Sequence, residues 1–427
     1  MLALPAVLAT AALVAAAWLP WPVREPAAPA PVPLIERQAR RFVSLALSLG
    51  AIAPAEVDAY WGPADIRRVS TPSLPQLRAD LADLATELRE QRGSPRAARL
   101  AARTDRLLAL VNIMGPVPPL AFEVEAAQVY GLAPPKLDNA GFTAARMALS
   151  RLLPGPGPLA DRVEVYRRGF TIPVERRPAL FARVLAECRR IARAHWPLPV
   201  DNRLAVRWND DVPAAWHQYR GRGQATLDIN PNAVADAGKM VDVACHEAYP
   251  GHQAQFLLAE AEARPRGLPI EDRVALLRSP ASVLREGAAD YGVELALPPA
   301  ARLAFDRDVL FPAAGLPTDD LDRFEAVQRH VASLSAAALP ILQGYRDGAL
   351  DAAAAAQALR RDALVESPAA LLDYVDRFGA YAAGYTSVRG QVRAFVERAG
   401  PDRWATLACL LRSGDGLAEG EAACTGR

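Results

Sequence analysis

Lysine is almost missing from this chain. Only Lys136 and Lys239 occur, and arginine carries nearly all the positive charge. With abundant alanine, this points to a coding bias toward GC-rich codons rather than to an arginine-based recognition surface. Net charge is +1, so there is no electrostatic case for nucleic acid or for a strongly acidic partner. Four cysteines are present, with no CxxC among them, which disfavours a cysteine zinc site or a thioredoxin-like redox site. Cys409 and Cys424 are close enough in sequence to pair in an oxidising compartment, whereas Cys245 reads as a small buried residue rather than a ligand. The sequence contains no nucleophile elbow, P-loop, dinucleotide fingerprint or internal repeat. What remains is a 427-residue chain of ordinary globular composition, long enough for a large core in one domain or two lobes.

Residues 1–18 are almost wholly apolar, the length of a signal-peptide core or a short membrane anchor. A positively charged leader is missing, and a buried helix is the competing reading. Residues 19–33 carry six prolines and read as an extended spacer. Together they predict an exported protein, periplasmic or secreted, or one held at the inner membrane by its N-terminus. The folded part is then residues 34–427, divided near Pro197–Pro199 into a helical lobe (34–199) and a catalytic lobe (200–427).

Helical spacing of leucine, valine and alanine covers 35–49, 74–92, 95–114, 122–130 and 178–194. The aromatic turn 58–63 either lines a cleft or packs at a helix junction. Residues 204–208 and 224–229 alternate like strands. An edge strand there either holds an extended peptide or pairs only internally. Helical patterns resume at 240–249, 281–297, 321–338, 350–364 and 367–397.

The chemistry concentrates at 243–253. Histidine is scarce, at five residues, yet His246 and His252 stand six apart with Glu247 between them. Two imidazoles beside a carboxylate suit a metal-activated water with an adjacent general base. The common zinc helix spaces its histidines four apart on one face. Six apart is about 240° around an ideal helix, so a straight helix cannot aim both at one ion. Pro250 and Gly251 lie between them and predict a bend that brings His252 back. Glu286, Asp290 and Glu294 recur four apart on one helical stripe, either a solvated face or a cation-facing one. Glu286 is the expected third ligand, with Asp290 orienting a ligating imidazole. Glu247, following the first ligand, projects about 100° away and suits the base. Tyr381 and Tyr385, four apart, are either core or donors to a developing oxyanion. Tyr219 and Arg220 are candidates for facing the cleft. His195, His217 and His330 read as ordinary surface or satisfied core histidines.

The segment 246–252, followed by Glu286-Gly-Ala-Ala-Asp-Tyr291, resembles a bacterial family catalogued as domain of unknown function 885, with its pattern H-E-x-x-P-G-H then E-G-x-A-x-Y. The likeness covers the second half well and the helical first half loosely. Gln253 stands where that family frequently has a second histidine, and Ala288 where it frequently has tryptophan. The family is similar to gluzincin metallopeptidases, and the segment 380–387 looks like the tyrosine loop of thimet oligopeptidase relatives. By that resemblance Tyr381 and Tyr385 hydrogen-bond the oxyanion or substrate. Val388 and Thr386 replace two further residues of that loop.

The expectation is therefore a mainly α, two-lobed gluzincin-like fold with a small β-sheet beside the active-site helix. Its function is that of a zinc-dependent metallohydrolase acting on peptides, with His246, His252 and Glu286 binding Zn²⁺, Glu247 as base and Tyr381 and Tyr385 as donors. Two alternatives share these residues: a membrane-tethered binding or scaffold protein with a structural or vestigial metal site, and an amidase for non-peptide substrates.

Overall fold

Leucine and alanine at three- and four-residue intervals build the first half. Helix α1 (Leu34–Ile52) buries Ala39, Phe42, Val43, Ala46 and Leu49. Helices α2 (Leu74–Arg89) and α3 (Pro95–Asn112) start alike: Ser73 and Ser94 accept hydrogen bonds from backbone N–H groups three residues on, and a proline sits in each first turn. Helix α4 (Phe122–Tyr130) closes on Gly131, whose φ of 65° favours glycine. This computed structural model describes residues 32–67, 71–91, 93–115, 118–263 and 267–425. The apolar residues 1–18 and the spacer up to residue 31 lie outside the described residues. No helix among the described residues is long and apolar enough to cross a membrane.

Two further helices, α5 (Asn139–Leu152) and α6 (Leu159–Arg168), have no counterpart in the periodicity reading. They pack on the helices Leu321–Ser333 and Ala352–Asp362 around a second hydrophobic core with Val327, Leu342, Leu359 and Val375. The main core runs from Ala39 to Leu417. It joins α1–α4 directly to Met240, Tyr249, Val283 and Tyr381. The N-terminal helices are thus a packing wall for the segment that carries the histidines.

Among the described residues the protein is mainly helical, with two small sheets. In the larger, β2 (Arg203–Trp208) runs parallel to β4 (Gln224–Ile229), and β3 (Ala215–Gly221) pairs antiparallel with β4's other side. β3 is therefore an edge strand, and the sequence reading did not include it. Its inward residues are His217 and Tyr219, polar types that hide the alternation. The smaller sheet pairs β1 (Val57–Tyr60) with β5 (Val274–Leu276). Trp61 packs edge-on against Tyr219 and Phe256, at ring-centroid distances of 5.2 and 5.4 Å. The aromatic turn 58–63 therefore packs against the larger sheet and the motif's second helix rather than at a helix junction.

All four cysteines are bridged. Cys409 pairs with Cys424, as the spacing allowed. Cys245 is not a lone buried thiol: it pairs with Cys188 and ties α7 (Arg177–His195) to α8 (Ala237–Glu247) one residue before His246. Two disulfides mark a chain that matures in an oxidising, extracytoplasmic environment.

Candidate metal centre

Helix α8 opens at Asp236, whose carboxylate accepts from the Lys239 N–H at 2.9 Å, and carries His246 and Glu247 in its last turn. It stops there. The chain turns through a cis Tyr249–Pro250 peptide, and α9 (His252–Glu262) begins immediately afterwards. The Gly251 N–H donates to the Cys245 carbonyl at 3.1 Å. A Cβ at Gly251 would lie 1.6 Å from the His246 carbonyl oxygen, so no other residue fits the turn. The two histidines thus sit on separate helices. Their rings meet edge to face, with centroids 4.8 Å apart.

Helix α10 (Pro280–Ala296), capped by Ser279, supplies the third group. Ligand atoms of His246, His252 and Glu286 all lie within 4.8 Å of one another. Glu286 Oε2 stands 3.3 Å from His246 Nε2 and 3.5 Å from His252 Nε2. One turn on, Asp290 Oδ1 accepts from His246 Nδ1 at 2.8 Å. That bond orients the ring with Nδ1 toward Asp290 and Nε2 toward Glu286. Glu294, the third acid of the stripe, faces elsewhere and pairs with Arg389 and Arg393. The stripe is therefore split between the centre and an ion pair.

The charges around the centre are mutually dependent. Burial pushes the Glu286 carboxyl up, but His252 and His246 outweigh it and hold it well below the usual carboxylate range. Burial pushes both imidazoles down, yet Asp290 and Glu286 raise His246 well above the ordinary histidine value, and Glu286 raises His252. Glu286 Oε2 is buried with no hydrogen-bond partner while it faces two imidazole nitrogens. An orphaned anionic oxygen between two nitrogen donors is what a divalent cation would complete, and two histidines with one carboxylate form a zinc-type donor set. The residues fit a metal.

Glu247 lies beside the triad, where burial raises its carboxyl pKa and the two histidines only partly offset this. That is the direction a general base needs. Tyr381 is fully buried in the 3₁₀ turn Gly379–Ala382. Its hydroxyl donates to Glu286 Oε1 at 3.1 Å and is 2.8 Å from Ser282 Oγ. Tyr385, in the π-helical turn Gly384–Val388, packs edge-on against Tyr381 and is 38% exposed. Burial and the nearby Glu286 push both phenols well up, so both remain neutral donors. Tyr381 is therefore committed to Glu286, and Tyr385 is the more open of the two.

Several groups at the centre escaped the sequence reading. His217 on β3 lies against His252, with centroids 6.2 Å apart, and bonds Gln253 Oε1 at 2.9 Å. Burial and His252 push it down to about 3, so it stays neutral. It is a satisfied core histidine, as expected, but one at the edge of the site. Asp58 on β1 is raised by burial and senses Arg285, His252 and Glu286. Glu125 on α4 accepts the Ala380 N–H at 3.0 Å and so holds the tyrosine segment. Position gives no clue to Asp58 or Glu125, which are more than 100 residues from the motif. Of the two cleft candidates, Tyr219 is buried under Phe256, with rings parallel and 4.6 Å apart. Arg220 is exposed and bonds Gln218 and Thr226 on the sheet surface.

No protein-family model matches the sequence, and no curated protein matches it. Among solved structures, the chain is similar to a protein of Colwellia psychrerythraea described as a "putative lipoprotein", with a TM-score of 0.50 and 14% identity, over 84% of this chain. The match spans 64% of that neighbour's length. Two further structures, described as BsuCP and CHT, align over 91% and 92% of the chain and 89% and 91% of their own, with TM-scores of 0.43 and 0.41 and identities of 10% and 13%. At such identities the first likeness shows a shared fold alone.

Proposed function

We propose that this chain is an exported zinc-dependent metallohydrolase that cleaves peptides. The observation that carries the reading is the orphaned Glu286 Oε2 between His246 Nε2 and His252 Nε2. His246, His252 and Glu286 would hold the ion, which when bound supplies Lewis acidity to a water and to the scissile carbonyl. Asp290 fixes the His246 tautomer and orientation. Glu247, with its raised pKa, takes the proton from the attacking water and later delivers it to the leaving amine. Tyr385 donates to the developing oxyanion, and Tyr381 anchors Glu286. The β3 edge, beside His217, offers backbone groups to an extended substrate. A two-lobed gluzincin-like arrangement, resembling the domain 885 family, accommodates these parts. The two disulfides and the apolar residues 1–18 support export to the periplasm or beyond.

The test has two parts. Metal analysis of protein purified without chelator should find about one zinc per chain. Glu247→Gln should keep that metal and lose peptide hydrolysis by at least about 10²-fold. A chain without stoichiometric metal, or a Glu247→Gln variant of full activity, refutes the reading.

A further inference from the structure

The face of α9 that begins with His252 continues into a cavity. His252, Gln255, Phe256 and Ala259 recur three and four apart, so they lie on one side of the helix. The first belongs to the metal centre. The other three line a cavity of about 580 Å³, together with Trp61, Leu284 and Arg285. That volume is in the range of ligand sites, and the exposed wall is mainly apolar but carries several charged groups, arginines prominent among them. Arg285 precedes Glu286 on α10, so one helix supplies both the metal ligand and a cation in the cavity wall.

Two polar groups of the wall are unfulfilled. Gln255 is buried, its side-chain amide donates to the Arg285 carbonyl at 3.1 Å, and its Oε1 has no hydrogen-bond partner. Arg103 and Arg278, also in the wall, are taken up by carboxylates: Arg103 by Asp272 and Asp415, Arg278 by Glu56. Arg285 is not. Its guanidinium lies over the Phe256 ring at 5.4 Å, and among the described residues no carboxylate reaches ion-pair distance, although Asp58 faces it from β1. A planar guanidinium with its fork unused, next to an apolar cavity and one residue from a metal ligand, is built to receive a carboxylate.

We propose that this cavity is the recognition subsite for the C-terminal residue of a peptide, with the terminal carboxylate on Arg285 and an aromatic side chain against the wall that Trp61, Phe256 and Leu284 contribute to. The substrate class is then peptides with a free, aromatic C-terminus. The proposal rests on the metallopeptidase reading for its catalytic consequence, but the binding it predicts does not require turnover.

The probes are N-acetyltyrosine and N-acetyltyrosinamide, titrated calorimetrically into the full chain in chelator, so that no metal competes for the carboxylate. The free acid should bind at least about tenfold more tightly than the amide. Arg285→Gln should bring the two within about twofold, and Ala259→Trp, which fills the cavity, should weaken both. Equal affinity of acid and amide for the wild-type chain overturns the proposal without any variant. So does an acid preference that survives in folded Arg285→Gln, because the carboxylate then sits elsewhere, for example on the protonated histidines. If the chain hydrolyses peptides but shows no acid preference, the subsite falls and the metallopeptidase reading stands. An acid preference lost in Arg285→Gln, with no hydrolysis of any peptide, keeps the subsite and removes the activity.

Discussion

Asp290 is the sharpest place to test the proposed metal centre, because it touches His246, a proposed ligand, and would not touch the ion. Its Oδ1 accepts from His246 Nδ1 at 2.8 Å, and this bond decides which ring nitrogen faces Glu286. Asp290→Ala frees the ring to rotate and to take the wrong tautomer. It also removes a negative charge that makes the imidazole a better donor. Loss of such a partner typically costs 10–100-fold in metal affinity, or about 1.4–2.7 kcal/mol. The Asp290 side chain is 26% exposed, so solvent screens part of its charge, and the lower half of that range is expected. Asp290→Asn keeps a neutral acceptor and should lose less. The pH dependence has a definite sign. Asp290 helps to raise His246 above its ordinary value, so in the metal-free protein a proton competes with the metal at neutral pH. Removing Asp290 weakens the proton as well as the metal. The deficit should therefore be small near pH 6 and grow toward pH 8. Zinc competition against a chromophoric chelator, at several pH values, measures it. A folded Asp290→Ala variant with zinc affinity within about twofold of wild type at pH 8 would refute the role assigned to this carboxylate.

Other predictions concern the frame. The Cys188–Cys245 bridge closes a separation of 57 residues, so replacing both cysteines by alanine should cost about 4 kcal/mol in denaturant unfolding, more than a surface pair would. Gly251→Ala should displace His252 and abolish metal binding even if the chain folds, because its Cβ would meet the His246 carbonyl; retained stoichiometric zinc would contradict this. Tyr385→Phe should lower kcat with KM little changed, whereas Tyr381→Phe should weaken metal retention through Glu286, and steady-state kinetics with metal analysis separates the two. Glu325 is buried with Arg302 and Asp306, and burial raises it from 4.5 to about 8. Between those values the folded state binds more protons than the unfolded one, so stability should fall as pH rises from about 4.5 to about 8, by on the order of a few kcal/mol. Glu325→Gln should flatten that slope in urea melts at pH 5, 6.5 and 8. An unchanged slope would show that Glu325 is not its source.

What was legible in the sequence is the chemistry that is local in the chain. His246, Glu247, Pro250, Gly251 and His252 lie within seven consecutive residues, so their spacing carries the bend directly. Glu286 and Asp290 share one helix, and the four-residue interval that marks them also fixes their division of labour, one toward the centre and one behind His246. The residues that escaped are those whose position depends on tertiary packing. Asp58 reaches the centre because β1 pairs with β5, and Glu125 reaches the tyrosine turn because α4 shares a core with Tyr381. β3 was missed because its inward residues, His217 and Tyr219, are polar types that burial and hydrogen bonding make compatible with a core. Arg285 shows the limit most clearly. It lies outside the stripe of Glu286, Asp290 and Glu294, since residues one apart on a helix face different ways. That divergence is the point: about 100° of rotation puts Glu286 at the metal centre and Arg285 in the wall of the adjoining cavity. A single turn of α10 therefore couples the place where a bond would be cut to the place where the end of the chain would be recognised.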